Sequence, residues 1–431
     1  MVRLAPSHLS FTDPRAWRDI YGALPRTTTS SSGNGSVSGW WPPELPKSRI
    51  FTAATDDQPD SIQGAAFHEH SVLRRALAPG FSDARALELV VQRYVGLLLR
   101  RMHERCDGKG AVLDMERWYN WTTFDIVGDL VWGQGFGCLE KGEYHPWIAF
   151  VLGVLKAAAG FTAVVYLGGR WLVRLVVGTV GQRSIITLRK MTDELVSHRL
   201  SMDRGREDLF EGLLKCRDEW VSLRRMVSME VSFRTLKQWL TDHICAQNLD
   251  FEKLSANGFL LTLAGSETTA TSLCGTTYLL LKNPETMEKL TREVRTRFSS
   301  PDEITGNAVS QLPYLNAVIN ESLRMYPPAA SGLVRVVPPE GKHIAGHYVA
   351  GGVSLKVHSV VVSRGRELTR GQSLVEVQPW SINHSSDNWT DPWKFNPDRF
   401  LRGEDEARKT GDILEASQPF SWGPRNCIGR K

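Results

Sequence analysis

The sequence has few cysteines, no recognisable leader and no uninterrupted apolar run. Six cysteines occur in 431 residues, and none forms a C-x-x-C pair. Such sparse cysteines do not predict a disulfide framework and favour a reducing, intracellular setting. No signal peptide opens the chain, because Pro6 and polar residues stand where an apolar core is required. The net charge of +5 is too small to indicate nucleic-acid binding by itself.

The segment nearest to a membrane span is AAAGFTAVVYLGGRWLVRLVVGTVG, which begins at Ala157. Arg170 and Arg174 interrupt it, and a spanning helix tolerates few charges in its apolar core. The segment therefore predicts a buried or membrane-touching helix pair rather than a true span.

Most of the chain has the apolar periodicity of α-helices. Helices are predicted over 69–80, 82–106, 114–133, 250–282, 286–298 and 313–326. After Gly332 the segments GLVRVVPP and GHYVAGG are short and strand-like, with turns between them. The pattern predicts one large, mainly α domain with a minor β region in its last third.

The last twelve residues, FSWGPRNCIGRK, place one cysteine at a defined spacing from other residues with physical roles. Phe420, Gly423, Arg425, Cys427 and Gly429 fall at F-x-x-G-x-R-x-C-x-G. A cysteine that binds iron needs a depressed pKa, which backbone N–H donors and a helix N-terminus supply. The glycines suit a tight turn and close approach of a flat cofactor, the arginine suits a carboxylate, and the aromatic suits shielding of the sulfur. A loop cysteine without a role is the alternative, and the five-residue spacing weighs against it.

A polar run, LAGSETTAT, interrupts the long apolar helix at 263–271. Gly265 costs about 1 kcal/mol there relative to alanine, and threonines bend a helix by bonding to the carbonyl one turn back. Such a run can open a groove for a small ligand and supply a proton route. The alternative is a satisfied polar kink.

The cysteine motif resembles the haem-binding loop of the cytochrome P450 family, the haem-thiolate monooxygenases. The resemblance implies that Cys427 is the axial ligand of haem b (iron protoporphyrin IX), whose thiolate favours O–O cleavage. The polar run resembles the family's oxygen-binding motif A-G-x-[D/E]-T-T. The matching residues are Ala264, Gly265, Glu267, Thr268 and Thr269. There the acidic residue and the first threonine deliver protons, so Glu267 and Thr268 are the catalytic candidates.

A third motif is NESLRMYPP, with Glu321 and Arg324 three residues apart on one helix face. Alone this pair predicts only a surface ion pair of little worth. FNPDRF follows, and its Arg399 fits the family's third partner. The resemblance implies a buried network of these three residues that organises the chain leading to Cys427, with a structural role.

Four residues are candidates for binding the haem propionates. HSVLR places His70 and Arg74 one helical turn apart, in a variant with histidine where tryptophan is common. Arg335 in GLVRVVPP resembles a second contact, and Arg425 is the fourth candidate. Bidentate arginine geometry suits a carboxylate. Solvated surface residues are the alternative for His70, Arg74 and Arg335.

The resemblance covers nearly the whole chain, and the four motifs follow the family's order. Fungal members that modify secondary metabolites are similar in three further segments, VRLAPSHLSFTDPRAWRDIYG, RWYNWTTFDIVGDLVWGQGFGCLE and EYHPW. The resemblance implies oxidation of an apolar metabolite with O₂ and electrons from NADPH-cytochrome P450 reductase, an FAD/FMN flavoprotein. It implies the cytosolic face of the endoplasmic reticulum membrane for the full-length family. We expect here a single domain without the N-terminal anchor and the C-terminal end, either cytoplasmic or membrane-associated. A catalytically defective product that binds haem poorly or not at all is the alternative. An isomerase or dehydratase on the same fold is a further one, which the intact AGSETT disfavours.

Two segments, 221–247 and 353–372, interrupt stretches that are continuous in the family. Both begin Val-Ser-Leu and end in Gln, with Leu-Thr shortly before. Val-Ser can be encoded by typical 5′ splice sites, and Gln by the 3′ end of an intron. We predict introns read through in frame; two tolerated surface insertions are the alternative.

Sequencing the transcript tests this prediction. We expect a mature message that joins RDEW to NLDFEKL and YVAGG to SLVEVQPW, because both interruptions are removed. A message that retains both stretches contradicts the prediction.

Overall fold

A computed structural model describes residues 1–23, 44–48, 61–82, 84–107, 110–166, 182–202, 206, 208–218, 249–352 and 373–430. The two suspected insertions, 221–247 and 353–372, lie outside the described residues, as do 167–181 of the apolar segment. Of the helices that are described, none is long and apolar enough to cross a bilayer.

Helices make up most of the described chain, which confirms the mainly α prediction. Their bounds are Arg15–Tyr21, Phe67–Leu77, Ala84–Cys106, Met115–Trp132, Cys138–Lys141, Pro146–Tyr166, Gln182–Ser201, 211–218, Phe251–Lys282, Pro284–Arg297, Gly306–Ser310, Pro313–Met325, Pro379–Asn383 and Glu404–Lys409. Short 3-10 turns occur at Pro301–Glu303, Pro397–Leu401, Leu414–Ala416, Gly423–Arg425 and Ile428–Arg430.

Capping residues and prolines account for several helix ends. The Asp114 side chain accepts the backbone N–H of Arg117 at the start of Met115–Trp132. Gly133 ends that helix at φ +83°, a left-handed conformation that favours glycine. Pro284 occupies the first turn of the next helix after Phe251–Lys282. These local signals explain why the helix ends could be placed from the sequence.

Six short strands form two sheets. They are β1 Val2–Ala5, β2 His8–Phe11, β3 Arg335–Val336, β4 Lys342–Ile344, β5 His347–Val349 and β6 Leu374–Val377. The larger sheet has the order β1-β2-β6-β3, with β2 and β6 parallel and the other pairs antiparallel. The strands β4 and β5 pair separately as an antiparallel hairpin.

All four residues of the strand β6 are buried. The strand lies inside the sheet, between β2 and β3, so both of its edges are paired. Glu376 is one of these buried residues, and its carboxylate lies 3.6 Å from Nε2 of His8.

The chain divides into two compact units. The first contains Met1–Asp56 and Thr271–Arg430, and the second Asp57–Ala270. The core of the first unit packs the sheet against the helix Arg15–Tyr21 and the chain around Trp389. Trp17 on that helix donates its indole N–H to the carbonyl of Ala416 at 3.0 Å.

The second unit is helical and closely packed around glycines. A Cβ on Gly258 would lie 2.3 Å from the Trp132 ring, and one on Gly265 would lie 3.1 Å from Val127. Both glycines lie on the helix Phe251–Lys282 and face residues of Met115–Trp132. The small residues therefore let these two helices approach each other closely.

A buried charged network joins several segments of the first unit. Arg324 donates from Nε to Glu321 Oε2 at 2.7 Å and from Nη2 to Oε1 at 2.9 Å. Arg399 donates from Nε to Glu321 Oε1 at 3.3 Å and from Nη1 to Asp412 Oδ1 at 2.6 Å. The side chains of Glu321 and Arg324 are both 0% exposed, so a solvent-exposed ion pair is ruled out.

The same arginines bind the backbone of the chain that precedes the cysteine motif. Arg324 Nη1 donates to the carbonyls of Asn383 and Pro392 at 2.6 and 2.8 Å. Arg399 Nη2 donates to the carbonyl of Asp391 at 3.1 Å. The network thus fixes backbone between residues 383 and 412 as well as pairing charges.

The variant Glu321→Gln tests how much stability this network provides. We expect the free energy of unfolding to fall by about 3–5 kcal/mol, because two buried arginines lose a shared carboxylate. The measurement is the urea unfolding midpoint.

The control is Glu288→Gln, which removes an ion pair to Arg292 whose side chains are 73% and 72% exposed. An exposed pair contributes little, so this variant should unfold as the wild type does. Equal midpoints for Glu321→Gln and Glu288→Gln would contradict the assignment.

Candidate functional site

The cysteine motif forms a compact loop that presents a free thiol. The backbone N–H of Cys427 donates to the carbonyl of Phe420 at 2.9 Å, and that of Asn426 to Gly423 at 3.1 Å. Phe420 is partly buried, while Cys427 is exposed and unbonded to another cysteine. Gly429, in the short turn after the cysteine, is also exposed. The loop closes on itself and leaves its sulfur accessible.

Gly423 anchors this loop to the helix Arg15–Tyr21. It has φ +77°, and a Cβ there would lie 2.0 Å from the carbonyl oxygen of Tyr21. Only glycine meets both conditions without strain. The tight turn expected at this residue is thus also a point of close approach.

Two of the predicted propionate partners lie together in the first unit. Arg425 donates from Nε to Glu44 Oε1 at 2.6 Å, and these side chains are 6% and 7% exposed. The guanidinium of Arg335 lies 5.2 Å from the ring centre of Tyr21. Burial lowers the pKa of Arg335 to about 10 and raises the pKa of Tyr21 to about 12. Arg335 is only 4% exposed, so the solvated alternative was wrong for it.

Glu267 occupies a half-buried position on the helix Phe251–Lys282. Burial, and secondly the carboxylate of Glu116, raise the pKa of Glu267, while Lys156 opposes them. Its Oε1 is buried and has no hydrogen-bond partner in the part of the chain that the structure describes. A carboxyl with a raised pKa retains its proton to higher pH, which suits a proton donor.

Hydroxyls along the same helix bond back to carbonyls one turn earlier. Thr268 Oγ1 donates to Ala264 at 2.7 Å, and Thr269 Oγ1 to Gly265 at 2.8 Å. The helix is nevertheless continuous over its 32 residues. Thr268 is exposed, so its hydroxyl oxygen is accessible to accept a further hydrogen bond.

His70 and Arg74 lie one turn apart on the helix Phe67–Leu77. His70 is 5% exposed, which rules out a solvated histidine, and Arg74 is partly buried. Both belong to the second unit, whereas Arg335 and Arg425 belong to the first.

The sequence-predicted residues therefore fall into two groups. The first unit brings together the cysteine loop, Arg335 and the network of Glu321, Arg324 and Arg399. The second unit holds His70, Arg74, Ala264, Gly265, Glu267 and Thr268.

The residues of the first unit fit a haem by the chemistry of their donors. A thiol that is free and exposed suits a soft iron ligand. The buried side chains of Arg335 and Arg425, in the same unit, suit the carboxylates of the cofactor, because buried cations are stabilised by opposite charge.

Sequence reasoning missed Glu44, Lys47 and Asp412, which all contact or face the predicted residues. Asp412 holds Arg399 and also accepts the backbone N–H of Thr390 at 2.9 Å. Glu44 and Lys47 lie in a short segment, 44–48, with no periodicity or motif. No local signal identifies Glu44 or Lys47, because their partners Arg425 and Arg335 are hundreds of residues away in the chain.

Comparisons with known proteins agree on one family. The cytochrome P450 family model matches residues 44–431. Cytochrome P450 monooxygenase tpeC from Talaromyces stipitatus is 40% identical over 100% of this chain and 72% of its own length. The averantin hydroxylase of Dothistroma septosporum is 34% identical over 100% of this chain and 69% of its own length.

A solved structure supports the same fold. The crystal structure of the cytochrome P450DA heme domain aligns with 86% of this chain and 69% of that chain, with a TM-score of 0.60. At 19% sequence identity this likeness shows the fold alone. The family match and the relatives at 34–40% identity assign the family, and the shared fold agrees with them. The chain belongs to the cytochrome P450 family.

Proposed function

We propose that the chain is a haem-dependent monooxygenase that hydroxylates or otherwise oxidises an apolar secondary metabolite. O₂ is the co-substrate, and NADPH-cytochrome P450 reductase supplies the electrons. The exposed, free thiol of Cys427 carries the proposal, because it lies in a loop held in place by Gly423 and beside the buried Arg425. The names of two relatives, a monooxygenase and a hydroxylase, support the same reaction class.

Cys427 would hold the iron of haem b through its thiolate, and Arg335 and Arg425 would bind the propionates. His70 and Arg74, on a different unit, are the other proposed propionate partners. The bound haem would supply the activation of O₂. The loop's contribution is to orient the sulfur, since the Cys427 N–H is held by the carbonyl of Phe420 at 2.9 Å.

Glu267 and Thr268 would deliver the protons that the reaction requires. Burial keeps the carboxyl of Glu267 protonated at higher pH than an exposed glutamate, so it can act as a donor. The hydroxyl of Thr268 donates to the carbonyl of Ala264 at 2.7 Å, which orients the lone pairs of its oxygen away from the helix. Gly265, next to Ala264, would keep the helix close to Val127, where a Cβ would lie 3.1 Å from that side chain.

The carbon monoxide spectrum of the reduced, haem-supplied chain tests the proposed ligand. We expect a Soret band typical of thiolate ligation in the wild type, because Cys427 would bind the iron. Its absence favours the alternative of a defective product. Cys427→Ser should lose that band, while Cys274→Ser, which changes a partly buried cysteine on another element, should keep it.

The pH dependence of stability tests the environment of Glu267. Because its pKa is raised in the folded state, its stabilising contribution is full below the unfolded-state pKa of about 4.3 and is lost as the pH rises through the folded-state pKa. Glu267→Gln should therefore raise the unfolding midpoint at pH 7, and the gain should disappear toward pH 4.

A matched variant, Glu116→Gln, tests the cause of the raised pKa of Glu267. It removes the like charge that helps to raise the pKa of Glu267, so the gain from Glu267→Gln should shrink in its presence. A loss of stability at pH 7 in Glu267→Gln, or a gain that is equal at all pH values, would contradict the account.

A further inference from the structure

Three polar side chains are buried side by side on one face of the larger sheet. His8 and Ser10 lie on β2 and Glu376 lies on β6, and they are 2%, 4% and 3% exposed, respectively. Because β2 pairs with β6 through Ser10 and Glu376, and through His8 and Leu374, these side chains share one face of the sheet. All of them belong to the first unit.

Two of these side chains each have a polar atom without a hydrogen-bond partner in the described part of the chain. The atoms are Nε2 of His8 and Oγ of Ser10, and both are buried. Glu376 Oε1 lies 3.6 Å from His8 Nε2, which is too far for a hydrogen bond, and accepts one from Gln378 Nε2 at 2.8 Å. Because an unpaired buried polar atom is costly, the cluster is stabilised by a further polar group that pairs with these atoms.

The rest of this face is apolar. Val334, Val336 and Leu374 form a small buried cluster of their own. Val375 and Val377, which alternate with the inward residues of β6, belong instead to the main core on the opposite face. An apolar surface with a few convergent polar groups is the composition typical of a small-molecule site.

Gly332 leaves the carboxylate of Glu376 open to close approach. A Cβ on Gly332 would lie 2.6 Å from Glu376 Oε2. Gly332 is partly buried, and its neighbours Ser331 and Leu333 are exposed. Any larger residue would therefore cover the carboxylate at a point where the chain reaches the surface.

One hydroxyl group matches the atoms of this cluster. A hydroxyl donates one hydrogen bond and accepts two. It can donate to Glu376 Oε2 and accept from the hydroxyl of Ser10 and from Nε2 of His8, in the tautomer that carries its proton there. An ammonium offers donors only and a carbonyl offers acceptors only, so neither matches the whole set.

We propose that His8, Ser10 and Glu376 bind a hydroxyl group of the substrate, while the apolar cluster beside them contacts its carbon skeleton. The inference rests on the proposed function, because it narrows the apolar metabolite to one that bears a hydroxyl group. The site lies close to a proposed haem contact in the sheet, since Arg335 pairs with Val375, the residue before Glu376.

A matched pair of probes tests which group is recognised. Equilibrium dialysis measures the affinity of the haem-loaded chain for 2-naphthol and for 2-methylnaphthalene, which has a methyl group in place of the hydroxyl. We expect 2-naphthol to bind about tenfold more tightly, because it adds a hydrogen bond to a carboxylate. Its binding should also change the absorbance of the haem, as expected of a ligand that reaches the cofactor.

The variant Ser10→Ala separates binding from stability. It removes a buried hydroxyl that has no partner in the described chain, so the urea unfolding midpoint should stay the same or rise. The preference for 2-naphthol should nevertheless fall by roughly threefold, because one hydrogen bond to the ligand is lost.

Glu376→Gln should reduce the preference for 2-naphthol as well, because a neutral amide accepts a weaker hydrogen bond than a carboxylate does. The control is Glu415→Gln, which removes an ion pair to Arg408 whose side chains are 51% and 50% exposed. This control should keep the preference of the wild type.

The outcomes separate this inference from the proposed function. A thiolate spectrum together with equal affinities for the two probes overturns the hydroxyl site and favours an ordered water as the partner of these atoms. A preference that is unchanged in both Ser10→Ala and Glu376→Gln overturns it as well. Binding of 2-naphthol that leaves the haem absorbance unchanged overturns its role as a substrate contact. A wild type that binds no haem overturns the proposed function and, with it, the assignment of this ligand as a substrate.

Discussion

The carboxylate of Glu321 is the contact on which the first unit depends. It accepts hydrogen bonds from the guanidinium groups of Arg324 and Arg399, and all three side chains are almost completely inaccessible to solvent. Because two buried cations share one anion, none of the three can move alone without leaving an unpaired buried charge. Asp412 supplies the second carboxylate that Arg399 requires. This constraint fixes the backbone that leads toward the cysteine loop.

The shape and position of the cysteine loop depend on contacts other than this charged network. Its own hydrogen bonds determine its shape, and Gly423 places it against the Tyr21 carbonyl, where no side chain fits. Arg425 then extends from the loop to Glu44, a residue from near the start of the chain. The thiol of Cys427 therefore lies in a loop whose backbone is held by these contacts and which also carries the buried side chain of Arg425. An accessible thiol and a buried arginine suit a haem with its two carboxylates.

Local patterns predicted much of the fold, and long-range contacts account for what they missed. The helix from Met115 to Trp132 could be predicted because Asp114 caps its start and Gly133 adopts the left-handed conformation that ends it. The burial of Glu376 could not be predicted from the sequence, because its side chain lies against His8, from a distant part of the chain. Glu44 and Lys47 could not be identified from the sequence for the same reason. Cys427 could be identified, because each of its spaced neighbours suggests a physical role.

The identity of the iron ligand is the central claim, and iron K-edge X-ray absorption of the haem-loaded chain tests it most directly. The account predicts one sulfur neighbour in the first shell of the iron, which disappears when Cys427 is replaced by serine. A first shell of nitrogen and oxygen neighbours alone in the wild-type protein would contradict it.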